Sequence, residues 1–257
     1  MIKFTKLHGN GNDFILVDEY DCEVIEDKPG FAATYCDRRF GIGADGVLFL
    51  MKSDHADIRM RLFQPDRSEA EMCGNGIRCL VRYAIDENYI TGRGSSTIET
   101  LAGVLTVDPD GEWIKVDMGT PVWGGIHEID GYEVHSVNTG VPHAIIFTDE
   151  QEIAIDEIAP GIRYAPVFPE GTNVNFVTVE SEREIVIRTY ERGVEGETLS
   201  CGTGAVASAY VTHRLGRTGD RVVVRTAGGV LRVLLGADGV AFMEGGAVRV
   251  YGGVIEI

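Results

Sequence analysis

Cysteine is scarce in this chain: five residues in 257, at positions 22, 36, 73, 79 and 201. The number is odd, and no two cysteines have the Cys-x-x-Cys spacing typical of zinc ligands. Neither a disulfide framework nor a zinc site is therefore expected, and the histidines form no metal-ligand grouping either. The sequence predicts reduced thiols and no bound metal.

Basic residues are also few, with 23 Lys and Arg against 40 Asp and Glu and a net charge of −17. The acidic residues are spread along the chain rather than collected in a tail. Such a surface repels polyanions, so nucleic acid and anionic membranes are not expected partners. An anionic substrate would have to be held by a few local donors, because the overall field opposes its binding.

Long apolar runs are missing as well. No stretch approaches the roughly 18 apolar residues that cross a bilayer, and Met1 to Lys6 shows no signal-peptide core. We therefore expect a cytoplasmic protein with no membrane association. Hydrophobic residues make up 44% of the chain, which is enough to form the cores of two domains of about 125 residues each.

A short motif occurs twice. The run Met72 to Arg78 contains Cys-Gly-Asn-Gly, and the run Ser200 to Val206 contains Cys-Gly-Thr-Gly, with the two cysteines 128 residues apart. Each motif precedes a helical pattern, so each thiol is expected where a helix begins. Unpaired N–H groups and the helix dipole at that end stabilise a thiolate and bind anions.

The repeat extends beyond the motif. Gly43 and Gly171 each precede the cysteine of their own half by 30 residues, and Gly103-Val104-Leu105 returns as Gly229-Val230-Leu231. We therefore predict two similar domains related by a pseudo-twofold axis, 1–118 and 119–248, with a final strand at about 249–257 that returns to the first domain. An active site in the cleft between them would bring both thiols to one ligand.

Within each half, the pattern predicts mostly strands and one strong helix. The helices are expected at Gly76–Asn88, with one apolar face, and at Gly204–Leu215, apolar all round and therefore enclosed. Weaker helical patterns cover 30–37 and 151–159, and the rest reads as strands separated by Gly, Asn and Asp turns. The expected fold class is α+β, each domain being a mostly antiparallel curved sheet, a β-roll or barrel, around a central helix.

Three segments carry a family resemblance. They are the opening Lys6 to Phe14, the run Ser68 to Arg78, and Tyr190 to Gly193 followed by Glu197 to Gly204. In content and order they closely resemble the diaminopimelate epimerase family, and the match runs almost from end to end. The resemblance implies an isomerase that converts LL- to meso-diaminopimelate in lysine and cell-wall precursor synthesis, without pyridoxal phosphate, metal or other cofactor. A homodimer is one candidate assembly.

Two thiols suit this chemistry. Inverting a stereocentre requires a base on one face of the α-carbon and an acid on the other, and Cys73 and Cys201 are the candidates for a thiolate and thiol pair. A thiol with a free pKa of about 8.5 is readily poised near neutrality at a helix N-terminus. Backbone N–H groups just after the cysteines would bind the α-carboxylate and thereby stabilise the carbanion. They belong to Gly74, Asn75, Gly202 and Thr203.

The resemblance also implies substrate contacts at Asn12, Asn173, Glu191 and Arg192, with Arg192 suited to the distal carboxylate. His143 and Glu191 match positions that assist proton movement at the thiols. Four residues depart from the best-known family pattern. Gln64, which is expected to contact substrate, stands where Asn is usual. The other three are Gly46 in place of Gln, Arg67 in place of the usual turn Gly, and Val141 in place of Asn. These departures concern recognition of the distal end of the substrate.

Two alternatives fit parts of the pattern. A proline racemase or hydroxyproline epimerase of the same superfamily would share the thiol pair but has no use for Arg192. The more distant alternative is a dithiol redox protein or a binding module with this fold, and the redox role predicts a disulfide between Cys73 and Cys201 that cycles in use. We expect the other cysteines to be structural.

Overall fold

The computed structural model describes residues 1–149 and 153–256. The chain divides into two compact units. The first contains Met1–Val116 together with Gly245–Ile257, and the second contains Asp117–Glu244. The end of the chain therefore belongs to the first unit, where its last strand pairs with the first strand of the protein.

The first unit is a mixed sheet with two helices. Its elements are β1 (Ile2–Gly9), β2 (Asn12–Glu19), α1 (Lys28–Tyr35), β3 (Gly46–Met51), β4 (Ile58–Phe63), β5 (Glu69–Ala70), α2 (Gly74–Asp86), β6 (Ser96–Thr100), β7 (Gly103–Asp110), β8 (Trp113–Asp117) and the last strand of the chain, β18 (Val248–Ile255). Most neighbouring strands are antiparallel, but β2 and β3 are parallel, as are β4 and β6.

The second unit repeats this arrangement. Its elements are β9 (Val122–Ile129), β10 (Tyr132–Asn138), β11 (Pro142–Phe147), α3 (Ile155–Arg163), β12 (Asn173–Ser181), β13 (Glu184–Glu191), β14 (Gly196–Thr198), α4 (Gly202–Arg214), β15 (Arg221–Thr226), β16 (Gly229–Leu235) and β17 (Ala241–Gly246). Here β11 and β12 are parallel, as are β13 and β15, and the other pairs are antiparallel.

The two units thus share one order of connections. Each begins with a hairpin, and each has a parallel crossover through a helix and a second parallel crossover through the helix that follows the cysteine. The strand beside β10 is β9, which precedes it, whereas the strand beside β1 is β18, from the end of the chain. The α+β class predicted from the sequence is confirmed, and the parallel pairs are an addition to the antiparallel sheet that the pattern predicted.

The helices that follow the cysteines begin two residues earlier than the apolar pattern indicates. Both α2 and α4 start at the glycine next to the cysteine, because Cys73 and Cys201 are themselves the N-cap residues. Both helices are enclosed by the strands of their own unit, since α2 buries ten of its 13 residues and α4 buries nine of its 13. The enclosure of α4 agrees with the sequence, whereas α2 is buried on more than the single apolar face that the pattern indicates, because Gly74, Asn75 and Arg78 are buried as well.

The core of the first unit lies on both faces of β3. Val47 and Phe49 pack with Phe31 of α1, whereas Leu48, which points to the other face, lies at Gly76 of α2. A strand buried on both sides loses the alternating pattern, which explains its continuous apolar sequence. In the second unit the corresponding core joins α3 to β11 and β12.

Three strands were missed in the sequence. These are β5, β9 and β14, and two of them are only two or three residues long. In β9 the alternation is interrupted by Gly124 and Gly125, which removes the apolar signal. The weaker helical patterns correspond to α1 and α3, although residues 151–152 of the second pattern lie outside the described residues. No helix in the described part of the chain is both long and apolar enough to cross a membrane.

Candidate active site

Cys73 is held at the start of α2 by its own helix. Its backbone is extended, and its Sγ accepts a hydrogen bond from the Gly76 N–H at 3.4 Å. The thiol is half-buried. A backbone donor and the positive end of the helix dipole both favour the ionised form of this thiol.

Cys201 has the same geometry in the second unit. It caps α4, and its Sγ accepts from the Gly204 N–H at 3.4 Å. The Thr203 hydroxyl lies 3.4 Å from the same sulfur. A hydroxyl can donate as well as accept, so it can serve either protonation state of this thiol.

The side chain of Asn12 contacts Cys73. Its Oδ1 lies 3.7 Å from the Cys73 Sγ and accepts from the Asn75 Nδ2 at 3.2 Å. The first unit therefore brings together three residues that the sequence places in the site: Asn12, Cys73 and Asn75. Gly74 lies between the last two, so its N–H is at the same helix end.

Arg78 fixes the orientation of the Asn75 side chain. This guanidinium is fully buried, and its Nη2 donates to the Asn75 Oδ1 at 2.9 Å and to the Asn10 Oδ1 at 2.8 Å. Burial lowers the pKa of Arg78 from its ordinary value. Because the amide oxygen of Asn75 faces a donor, its nitrogen is directed to Asn12.

His143 is fully buried in β11 of the second unit. Its Nδ1 lies 3.0 Å from the Asn175 Nδ2, and the Asn175 Oδ1 accepts from the Thr189 hydroxyl at 2.9 Å. The amide nitrogen must therefore donate to His143, which leaves the ring proton on Nε2. Burial, with a further contribution from Arg192, lowers the pKa of His143 to about 3, so the ring is neutral at physiological pH.

Asn173 connects two other predicted residues of the second unit. Its Oδ1 accepts from the Arg192 backbone N–H at 2.9 Å, and its Nδ2 donates to the Pro142 carbonyl at 3.2 Å. The Arg192 guanidinium donates to the Glu170 carbonyl at 3.3 Å, and Glu191 accepts from the Thr198 hydroxyl at 2.9 Å. The end of β13 is thereby fixed next to β12.

The residues that depart from the family pattern lie in turns or in the core. Gln64 is exposed, and its Oε1 accepts a hydrogen bond from the Ser68 hydroxyl at 3.0 Å, within its own turn. Arg67 in that turn has φ of 74°, a conformation that favours glycine. A Cβ at Gly46 would lie 3.0 Å from the Phe63 carbonyl, so a larger residue there requires the neighbouring strand to move.

The remaining cysteines differ from the two N-cap residues. Cys22 is exposed, while Cys36 and Cys79 are buried. Burial raises the pKa of Cys36 to about 12 and raises that of Cys79 further. Neither buried thiol can ionise near neutrality, which supports the structural role expected for them. In the described residues, no group of three or more His, Cys, Asp and Glu side chains could hold a metal ion.

Two residues of these networks were not singled out in the sequence. Asp45 binds the side chain of Asn12, and Asn175 binds His143. A usable signal existed for Asn175, because Asn173 and Asn175 alternate with apolar residues and both prove to be buried. Asp45 is separated from Asn173 by the 128-residue offset of the repeat, so the repeat itself could have indicated it.

Gly204 permits no side chain next to Cys201. A Cβ at this position would lie 2.4 Å from the Asn175 Oδ1 and 3.3 Å from the Cys201 Sγ. We expect Gly204→Ala to lower the free energy of unfolding by about 1–3 kcal/mol, because the Asn175 amide is fixed by two partners and cannot yield. Gly196→Ala is the control, since nothing lies within 4 Å of its Cβ position. Urea unfolding of both variants measures the difference; equal losses would contradict the steric explanation.

Comparison with solved structures defines the class of fold. A phenazine biosynthesis protein of the PhzF family from Bacillus anthracis matches with a TM-score of 0.78, covering 100% of this chain and 99% of its own at 18% sequence identity. The fold is therefore that of a two-domain PhzF-like protein, here with one N-cap cysteine in each unit.

Sequence comparison specifies the family. The profile of the diaminopimelate epimerase family matches residues 4–124 and 135–250. The diaminopimelate epimerase of Archaeoglobus fulgidus is 50% identical, covering 100% of this chain and 97% of its own, and that of Methanocella arvoryzae is 52% identical with the same coverage. The chain belongs to the diaminopimelate epimerase family, and it is an isomerase.

Proposed function

We propose that this protein converts LL-diaminopimelate to meso-diaminopimelate, with Cys73 and Cys201 as the two acid–base groups. In each unit a cysteine is the N-cap of a helix, and its sulfur accepts a hydrogen bond from a backbone N–H of that helix. This observation supports the roles assigned to the two cysteines. The reaction belongs to lysine and cell-wall precursor synthesis. The family match supports the substrate, and the paired caps support the mechanism.

The two thiols divide the proton transfers. A thiolate removes the α-proton from one face of the substrate, forming an S–H bond and leaving a carbanion. The other cysteine, as a thiol, delivers its proton to the opposite face and becomes the thiolate. The configuration of that carbon is thereby inverted with no net gain or loss of protons. Both thiols must reach the same α-carbon for this to occur.

The carbanion requires stabilisation that a simple amino acid lacks. We assign this to the first N–H groups of α2 and α4, those of Gly74, Asn75, Gly202 and Thr203, directed at the α-carboxylate. Helix N-termini favour negative charge, and two of them would oppose the charge that develops on the substrate. The glycines allow the carboxylate to approach the backbone closely.

The end of β13 and its neighbours form the remaining contacts in this proposal. Arg192 would pair with the distal carboxylate, and Asn173, Glu191 and Gln64 would contact substrate amino or carboxylate groups. His143 and Glu191 would assist proton movement at the thiols. Because His143 is neutral and carries its proton on Nε2, it would act as a hydrogen-bond donor and not as a charged acid. Cytoplasmic location and homodimer assembly remain predictions from the sequence.

Incubating the reduced protein with LL-diaminopimelate in D₂O tests the function. We expect meso-diaminopimelate with deuterium at the inverted carbon, because solvent exchanges with the thiol proton before it is delivered. Proton NMR follows loss of the α-proton, and chiral separation follows the product. Proline and hydroxyproline are the matched control substrates, which lack a distal carboxylate for Arg192. Exchange of proline but not of diaminopimelate would reject the assignment.

A further inference from the structure

Asn12 is bound on its far side by an ion-pair network. Its Nδ2 donates to the Asp45 Oδ2 at 2.7 Å, and the same oxygen accepts from the Asp13 backbone N–H at 3.1 Å. The other oxygen of Asp45 accepts from the Arg38 guanidinium at 2.7 Å. The Asp45 carboxylate therefore accepts from three groups of the first unit: the Asn12 amide, the Asp13 backbone N–H and the Arg38 guanidinium.

The network is anchored in the core of the first unit. Arg38 donates to both oxygens of Asp13, at 2.7 and 3.2 Å, and the buried Lys6 ammonium lies 2.6 Å from the same carboxylate. Lys6 also donates to the Gly43 carbonyl. Although burial acts in the opposite direction, hydrogen bonds from Arg38 and Lys6 hold the pKa of Asp13 at about 2. These contacts fix the place of Asp45 relative to β2.

A carboxylate can only accept hydrogen bonds. The Asn12 amide must therefore direct its nitrogen to Asp45, and its oxygen is left facing Cys73 and Asn75, at 3.7 and 3.2 Å. The opposite amide orientation would place two acceptor oxygens together at Asp45. The acceptor oxygen of Asp45 thus determines which atom of the Asn12 amide faces Cys73.

The atom that meets Cys73 affects its protonation. The Asn12 oxygen can accept from an S–H but repels a thiolate, whereas the Gly76 N–H favours the thiolate. A reversed amide would turn a donor toward the sulfur. Asp13, Arg38 and Lys6 are the other charged groups of the network around Asp45, and Arg78 of α2 interacts electrostatically with Cys73. Substitution at Asp45 removes one ion pair of Arg38 and leaves the pairs of Asp13 with Arg38 and Lys6 in place.

We propose that Asp45 is a positioning residue that holds the amide oxygen of Asn12 toward Cys73 and thereby favours the protonated form of this thiol in the free protein. The proposal rests on the proposed function only in treating Cys73 as an acid–base group. It provides a difference between the thiols, because the Asn12 oxygen facing Cys73 can only accept, whereas the Thr203 hydroxyl beside Cys201 can also donate and so also suits a thiolate. In the resting protein Cys73 would then be the proton donor and Cys201 the proton acceptor.

Thiol alkylation tests the proposal without substrate. The reduced full-length protein is treated with iodoacetamide between pH 5 and 10, and the modification of Cys73 is followed by peptide mass spectrometry. We expect Asp45→Ala to increase the alkylation rate of Cys73 at pH 7 by about 3- to 10-fold, because only the Asn75 amide then holds the Asn12 oxygen in place. The reversed amide, which can donate to the thiolate, then becomes populated. Asp54→Ala, in the exposed loop between β3 and β4, is the matched control and should leave the rate unchanged.

Asp45→Asn separates amide orientation from charge. The oxygen that accepts from the Asp13 N–H is retained, so it still accepts from Asn12, and the Cys73 rate should remain within about 2-fold of the parent. If Asp45→Asn raises the rate as much as Asp45→Ala, the charge acts directly and the proposal is wrong. An unchanged rate in Asp45→Ala would also overturn it.

A double variant shows whether the effect passes through Asn12. In the Asn12→Ala background, Asp45→Ala should change the Cys73 rate by less than about 1.5-fold, because the amide is absent. A full effect in that background would overturn the proposal. Should Asp45→Ala not fold, Asp45→Ser takes its place, since a hydroxyl both donates and accepts and does not dictate the amide orientation. Because alkylation needs no diaminopimelate, failure of this proposal is distinguishable from failure of the proposed function.

Discussion

Replacing either N-cap cysteine by serine is expected to reduce the rate of epimerisation by about 10²- to 10⁴-fold, the range for loss of a general acid or base. The serine hydroxyl retains the N-cap hydrogen bond, so the fold should be preserved while the acid–base group is lost. Coupled measurement of product and of α-deuterium in D₂O gives both the rate of inversion and the rate of exchange.

Exchange should reveal which thiol serves which face. In Cys73→Ser the remaining thiol can still remove an α-proton from its own face and return a deuteron to that face, which gives exchange with retention. Cys201→Ser should do the same from the other face. We therefore expect the two variants to exchange opposite stereoisomers preferentially. Cys22→Ser, an exposed cysteine in the first unit, is the control. Identical stereoisomer preference in both variants would contradict a two-thiol mechanism.

Acidification below pH 6.5 is expected to destabilise the protein through His143. The folded protein keeps this ring neutral down to a pKa of about 3, whereas the unfolded chain takes up its proton near 6.5. The free energy of unfolding should therefore fall by about 1.4 kcal/mol per pH unit from this group, and by roughly 5 kcal/mol over the whole interval. No such contribution exists above pH 6.5, where the ring is neutral in both states.

Comparison with His143→Asn isolates this contribution. The Asn side chain can still accept from Asn175 but cannot be protonated, so its stability should decline less steeply between pH 6.5 and 4. Acidic groups, and His135 whose burial also lowers its pKa, titrate alike in both proteins and cancel in the difference. Urea unfolding at fixed pH intervals provides the slopes. Parallel curves for the two proteins would show that His143 takes up a proton without unfolding.

Much of the fold was predictable from local patterns. The apolar face of α2 and the small apolar residues of α4 are periodic over three turns, so the helices and the enclosed position of α4 were both evident. The repeated motif indicated two similar domains because one supersecondary unit was used twice. Short strands such as β5 and the glycine-interrupted β9 were not predictable, because pairing with a neighbour and not their own composition makes them strands.

The positions of the two thiols were easier to predict from the sequence than the residues that surround them. The apolar pattern placed the helix starts at Gly76 and Gly204, two residues too late, but it already put each cysteine at the beginning of a helix. The position of each sulfur near backbone donors therefore followed from the sequence. Asp45 could not be assigned to Asn12 in this way, because 33 residues separate them and only the parallel pairing of β2 with β3 brings them together. The same holds for Asn175 and His143, which meet through the parallel pairing of β11 with β12.

The sequence by itself determined the family, the two-unit repeat and the two cysteines at helix N-termini, since these depend on residue identity and on spacing along the chain. The tertiary structure decided what each thiol contacts, the orientation of the Asn12 amide and the neutral state of His143. Hydrogen-bond direction and desolvation arise from residues that are distant in sequence and adjacent in the folded chain, and neither leaves a periodic pattern that a sequence can display.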